Sequence, residues 1–136
     1  MDKIPSPEIL AEHIEKFVDT FVIKARRDRW KTLLTSNESR WGKIDVHSFE
    51  GNPARGLFYD TANRFSLGSQ SFYPYLDTDV VVLRLGHSKK VGAILAPLRQ
   101  SIDEYDIIFE GVISIVPGKL AVVINHDDEA TICESS

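Results

Sequence analysis

The side chains best suited to acid–base chemistry are the four histidines, and one of them, His47, lies two residues after an aspartate. On a strand, Asp45 and His47 would point to the same side, which is the arrangement of a general base and the acid that orients it. His87 opens a polar loop after an apolar run. No nucleophile at catalytic spacing accompanies these residues. An enzyme or ligand-binding domain that uses Asp45, His47 and His87 is therefore our alternative hypothesis.

A metal site is the second chemistry that the residue types allow. The segment 126–129 places His126 next to three carboxylates, which are ligands that divalent cations accept. Asp is equally typical of turns, and no two His or Cys residues stand at metal-ligand spacing. The single cysteine, Cys133, has no CxxC partner and is predicted to pack in the core. We expect no metal and no cofactor.

The densest charge lies in the basic run, residues 24–31, with five Lys or Arg residues and one Asp. Arg26, Arg27 and Arg29 beside Trp30 are residue types that hold phosphates, so a nucleic-acid-binding regulator is a weaker alternative. The formal net charge of −4 disfavours a polyanionic partner. We predict that the run is a solvated helix junction that pairs with the acidic half of the sequence.

A phosphate-binding loop is the last catalytic-type pattern to weigh. The segment 86–92 follows the apolar run Val80–Leu85 and contains Lys89 and Lys90. Its spacing matches neither GxxxxGK[ST] nor GxGxxG, and a phosphate loop needs a helix directly after it. We predict a hairpin or a plain polar loop instead.

Aromatic residues are concentrated between positions 58 and 75. They either fill the core between helices and sheet or line a binding surface, because Tyr and Phe anchor many interfaces. Phe72, Tyr73 and Tyr75 directly precede a buried strand and are our predicted partner-binding residues. The other three members are Phe58, Tyr59 and Phe65.

Composition supports a folded chain with a core of its own. The chain has 136 residues, of which 43% are hydrophobic and 26% charged, so we expect a single domain over residues 1–136. Residues 1–68 hold 11 basic and 10 acidic residues, a net of +1, and residues 69–136 hold 5 and 10, a net of −5. The start of the chain lacks a signal-peptide pattern and no apolar run spans a membrane, so a cytoplasmic location is expected.

Helices are predicted in the N-terminal third. Ser6 as N-cap and Pro7 at the first helical position start a helix that the apolar spacing extends to about Ala25. A second helix is predicted over Asp28–Thr35. A third is expected to begin near Ala96, since Pro97 excludes a helix interior there.

Strands are predicted in the C-terminal part. Short strands are expected at Gly56–Tyr59, Val80–Leu85 and Ala130–Cys133. The strongest pattern is a hairpin of two apolar runs, 106–116 and 120–125, around a type II turn at Pro117-Gly118. The predicted pairs are Ile115 with Leu120, Ile113 with Val122 and Gly111 with Ile124. The predicted core face consists of Phe109, Ile113, Ile115, Leu120, Val122 and Ile124, while Val112 lies on the other face.

Hairpin loops of two residues favour mirror-image turns, so a wider loop or a bulge is the alternative, and it would shift these pairs. Together the patterns predict an α+β fold in which N-terminal helices pack on a mostly antiparallel sheet. In size and charge the chain is similar to small acidic bacterial proteins that neutralise toxins or regulate by binding. Our preferred hypothesis is a non-enzymatic protein-binding domain with a basic protein partner.

Overall fold

A computed structural model describes residues 3–44, 53–57, 73–86, 91–103, 110–124 and 130–135. Helices occupy the N-terminal part, and the remainder is dominated by one antiparallel sheet. The predicted α+β class is therefore confirmed. The helical elements are α1 (Pro7–Phe21), a 3-10 helix (Lys24–Arg26), α2 (Arg27–Leu34), a second 3-10 helix (Glu38–Lys43) and α3 (Leu98–Asp103).

The sheet has six strands in the order β1-β6-β5-β4-β2-β3, and every neighbouring pair runs antiparallel. The strands are β1 (Pro53–Leu57), β2 (Asp79–Arg84), β3 (Gly92–Pro97), β4 (Gly111–Val116), β5 (Leu120–Ile124) and β6 (Ala130–Glu134). The predicted strands at the β2 and β6 positions are confirmed. The predicted strand Gly56–Tyr59 overlaps the end of β1, and residues 58 and 59 lie outside the described residues.

α1 begins as the sequence predicts. The Ser6 hydroxyl accepts a hydrogen bond from the Ile9 amide at 3.3 Å, and Pro7 occupies the first turn. The helix ends at Phe21 rather than near Ala25, because Val22 adopts an extended conformation and a 3-10 helix follows. Apolar spacing continues across this break, so periodicity alone overestimates the length of the helix.

Both faces of the sheet are buried. The helix-facing core joins the helices to one face of the central strands, and the far core occupies the opposite face. The helix-facing core includes Phe17, Trp30, Leu33, Trp41, Val81, Leu83, Val112, Val123 and Cys133. The far core includes Val80, Val82, Ile94, Ile113, Ile115, Leu120, Val122, Ile124 and Ile132.

The predicted hairpin is formed by β4 and β5. Gly118 has φ +70° as the type II turn requires, and the Lys119 amide donates to the Val116 carbonyl at 2.9 Å. The predicted pairs of Ile113 with Val122 and Gly111 with Ile124 are confirmed. The pair of Ile115 with Leu120 is wrong, because Val116 faces Leu120 and the register shifts between Ser114 and Val116. A β-bulge thus reconciles the turn with the twist of the strands.

The predicted core face of the hairpin is confirmed for its described members, which all lie in the far core, whereas Phe109 lies outside the described residues. Val112 lies on the other face of the hairpin, as predicted. Val112 is fully buried in the helix-facing core, so β4 is covered on both sides.

The segment before the third helix is a strand that the sequence analysis does not predict. It forms β3, which pairs antiparallel with β2 from Gly92 opposite Arg84 to Pro97 opposite Asp79. The third helix starts at Leu98, just after the proline. Since a strand and no helix follows the loop after β2, the phosphate-loop pattern is excluded and the hairpin interpretation is confirmed.

Candidate functional site

Several predicted site residues lie outside the described part of the chain. These are Asp45, His47, Phe58, Tyr59, Phe65, Phe72, His87 and the cluster 126–129. Among the residues that the structure does describe, no group of three or more His, Cys, Asp or Glu side chains is arranged to hold a metal ion. The enzyme hypothesis built on Asp45, His47 and His87 therefore stays a prediction.

The basic run forms the junction between α1 and α2, as predicted. Arg26 and Arg29 are exposed, whereas the Arg27 Nε donates to the Val22 carbonyl at 3.0 Å and thereby caps the end of α1. Lys31 pairs with Asp19 of α1 at 2.7 Å, and this hydrogen bond with the carboxylate raises the pKa of Lys31. The expected partner was the acidic half of the sequence, but the described ion pair joins the two helices.

Tyr73 is displayed on a turn that leads into β2. Tyr73 is 57% exposed, whereas Tyr75 and Leu76 are half-buried against the far core. The Leu76 amide donates to the Tyr73 carbonyl at 3.4 Å, and the Thr78 amide donates to the Tyr75 carbonyl at 2.9 Å. Of the two described aromatic candidates, one is thus at the surface and the other packs inward.

Hydrogen bonds from α3 also fix this turn. The Arg99 amide of α3 donates to the Leu76 carbonyl at 2.8 Å, and the Leu98 amide donates to the Thr78 carbonyl at 3.0 Å. The amides in the first turn of a helix have no partner within that helix. In α3 these amides bond instead to Leu76 and Thr78 and hold the turn that carries Tyr73. A Tyr held on such a support loses little conformational freedom when it binds, which favours its use as an anchor.

Two aspartates that follow Tyr73 in the sequence, Asp77 and Asp79, are each paired with a base. The Arg99 Nε lies 3.2 Å from the Asp77 carboxylate, and the Lys3 Nζ lies 3.5 Å from that of Asp79. The Asp77 side chain is 85% exposed, and such pairs contribute little to stability because water screens them. The segment that leads from Tyr73 into β2 is consequently mixed in charge rather than acidic.

The acidic surface that the structure shows lies on α1. Glu8, Glu12, Glu15 and Asp19 follow one another at spacings of four, three and four residues, which places them on one helix face. They border a groove of about 690 Å³ between α1 and the hairpin turn. Besides these acids the groove is lined by Ala11, Lys16, Thr20, Pro117, Gly118, Lys119 and Ser135. The sequence shows the helical spacing of these acids. The net charge of residues 1–68 does not reveal it, because basic residues in the same half offset the acids.

Tyr73 and this groove lie at the same end of the sheet. Tyr73 precedes the first residue of β2, and the turn Pro117–Lys119 follows the last residue of β4. Because β2 and β4 are antiparallel, with Val81 opposite Ser114, the start of β2 and the end of β4 coincide. We call this region the turn end of the sheet. It carries an exposed aromatic side chain on the far-core side and, on the helix-facing side, a groove that is rich in carboxylates.

A buried polar pair on the helix-facing side was not anticipated. His13 Nδ1 lies 2.7 Å from the Ser114 hydroxyl, and both residues are buried between α1 and β4. Burial lowers the pKa of His13 against a smaller opposing effect of Glu12. The sequence does contain a signal for the burial of His13, since this residue lies between Leu10 and Phe17 at the spacing of the apolar face of the helix. The pair satisfies two polar groups inside the core and is structural.

The His13 contact predicts a pH-dependent stability. The pKa of His13 is lower in the folded chain than the unfolded value of about 6.5, so the unfolded state binds more protons in the interval below that value. The stabilisation is fully present above pH 6.5 and is lost as the pH falls through the folded-state pKa. We expect urea melts of wild type between pH 7.5 and 5 to show this loss and His13→Asn, which keeps a polar group near Ser114, to show less of it. Parallel pH profiles for the two proteins would contradict this assignment.

Cys133 packs in the core, as predicted. It is fully buried on β6 within the helix-facing core. Burial raises the pKa of its thiol to about 12, so the reactive thiolate is scarce at neutral pH. Cys133 therefore acts as a small apolar side chain and not as a nucleophile.

The comparisons with known proteins add no relative. No protein-family model matches the chain, and no curated protein or solved structure matches it. Of the helices in the described ranges, none has both the length and the apolar character that crossing a bilayer requires.

Proposed function

We propose that this chain is a non-enzymatic, cytoplasmic protein-binding domain of an inhibitory or regulatory kind. The observation that carries the proposal is the exposure of Tyr73 on a turn fixed by α3. Tyr is among the residue types that most often anchor protein interfaces. The binding surface in this proposal is the turn end of the sheet.

The charge of this region supports a basic partner. Four carboxylates of α1 border the groove on the helix-facing side of this end. Lys16 and Lys119 also line the groove, and Lys31 pairs with Asp19, so Glu8, Glu12 and Glu15 supply the remaining negative charge. Opposite charges raise the rate at which two proteins meet, and this effect decreases as salt screens it. A protein with a positively charged surface is therefore the partner class that the turn end fits.

Affinity capture from a native lysate tests this function. Three baits are compared: wild type, Tyr73→Phe, which keeps the ring, and Tyr73→Ala, which removes it. We expect one basic protein to be retained by the first two baits and lost from the third, while all three melt at the same temperature. Equal retention by all three baits, or no retained protein, would argue against binding through Tyr73.

A further inference from the structure

β3 is an edge strand whose outward amides are all occupied or absent. It pairs with β2 on one side only. On its open side the Leu95 amide donates to the Lys3 carbonyl at 2.8 Å, and the Ala93 amide donates to the Glu38 carboxylate at 3.1 Å. Backbone groups alternate in direction along a strand, so the next outward position is Pro97, which has no N–H. Within β3, no outward donor remains for another strand.

Within the strand, Pro97 is the only residue of a type that protects an edge. Edge strands in proteins are commonly blunted by charged side chains, above all Lys, within the strand. Residues 91–97 contain no charged side chain at all, and short uncharged apolar segments of this kind pair readily with other strands once their edge is open. The other outward amides of β3 are covered by Lys3 and by Glu38, which lies 55 positions from Ala93 in the sequence.

The Glu38 carboxylate lies directly beside Gly92. Gly92 has φ +133°, and a Cβ atom built at Gly92 would overlap the Glu38 carboxylate. Glu38 itself opens the second 3-10 helix, whose N-cap Asn37 accepts a hydrogen bond from the Ser39 amide at 3.1 Å. A capped helix start on one side and a glycine on the other therefore place the carboxylate against the amide of Ala93.

We propose that Glu38 guards the β3 edge, and that the strand it excludes is β3 of a second copy of this chain. An identical strand is always present at the concentration of the protein itself. Antiparallel pairing of two β3 strands about a two-fold axis needs only the outward groups that Glu38 and Lys3 now occupy. Because the strand is uncharged, no like-charge repulsion between its side chains opposes that pairing.

Three substitutions of Glu38 distinguish the effect of its hydrogen bond on self-association from the effect of its charge. Glu38→Gln keeps an oxygen that accepts from the Ala93 amide but removes the charge. Glu38→Asp keeps the charge but is one methylene too short for the same contact, and Glu38→Ala removes both. Light scattering during size-exclusion chromatography over a range of concentrations gives the molar mass, and circular dichroism confirms folding.

We expect wild type and Glu38→Gln to have the same molar mass at each concentration. Glu38→Ala and Glu38→Asp should self-associate about tenfold more tightly, because the hydrogen bond at the Ala93 amide no longer has to be broken first, whereas the Lys3 contact at Leu95 is the same in all four proteins. Hydrogen exchange should show the Ala93 amide of these variants protected in the dimer, whereas the Leu95 amide is already hydrogen-bonded to Lys3 in the single chain. If Glu38→Ala does not fold, the comparison of Glu38→Asp with Glu38→Gln decides. Wild-type behaviour of the folded Asp variant, or a dimer with exchanging β3 amides, would overturn the proposal.

Discussion

Replacing Ile113 by alanine is expected to lower the free energy of unfolding by about 2–5 kcal/mol. Ile113 is fully buried in the far core on the central strand β4, so its removal leaves a cavity between well-packed strands. The neighbouring Val112 faces the helices and is equally buried. Val112→Ala should therefore also destabilise the protein, by about 2 kcal/mol from the lost apolar groups and the cavity.

Urea melts of the two variants test the two-sided burial of β4. Lys119→Ala, an exposed change in the hairpin turn, serves as the control and should stay within about 0.5 kcal/mol of wild type. If Val112→Ala behaved like this control, the helices would not cover β4 as described.

Replacing Trp30 by alanine should be at least as costly, with an expected loss of about 3–5 kcal/mol. Trp30 is 2% exposed, and its ring centroid lies 5.8 Å from that of Phe17, which in turn lies 5.6 Å from that of Phe21. These aromatic rings join α2 to α1 over the helix-facing core, and such contacts add to the apolar area that is buried.

The matched control for Trp30 is Thr32→Ala, an exposed position on the same helix, which should change the free energy by less than about 0.5 kcal/mol. Denaturant melts followed by circular dichroism measure both variants. A loss below 1 kcal/mol for Trp30→Ala would show that α2 does not depend on this residue for its packing.

The helix start and the hairpin could be predicted because their signals are local. The Ser6 cap followed by Pro7 acts within one turn, and the Pro117-Gly118 turn fixes which strands meet. The end of α1 could not be predicted in the same way, since Val22 and Ile23 continue the apolar pattern in an extended conformation.

The strand β3 could not be predicted from the sequence, for a different reason. Its sequence consists largely of Ala, Leu and Ile, which are compatible with a helix, and its strand state depends on pairing with β2. The two-sided burial of the hairpin did leave a signal. Its strands are continuous apolar runs, as is typical of strands covered on both faces, whereas a half-exposed strand alternates with polar residues.

The candidate surfaces depend on contacts between distant parts of the chain. The exposure of Tyr73 and the burial of Tyr75 follow from how α3 and the far core hold the turn between them. The contact of Glu38 with the Ala93 amide likewise joins a helix to a strand across 55 positions. Composition gives the residue types for such sites, but only the tertiary structure brings them together.

The affinity of the captured partner for Tyr73→Ala tests the proposed function most directly. Isothermal titration calorimetry gives Kd for wild type, Tyr73→Phe and Tyr73→Ala, and thermal melts of the same samples give Tm. An interface anchor contributes about 2 kcal/mol or more, so Kd should rise about 30-fold for Tyr73→Ala and little for Tyr73→Phe, with Tm unchanged. An unchanged Kd, or a Tm that falls together with the affinity, would contradict the role of Tyr73 as a surface anchor.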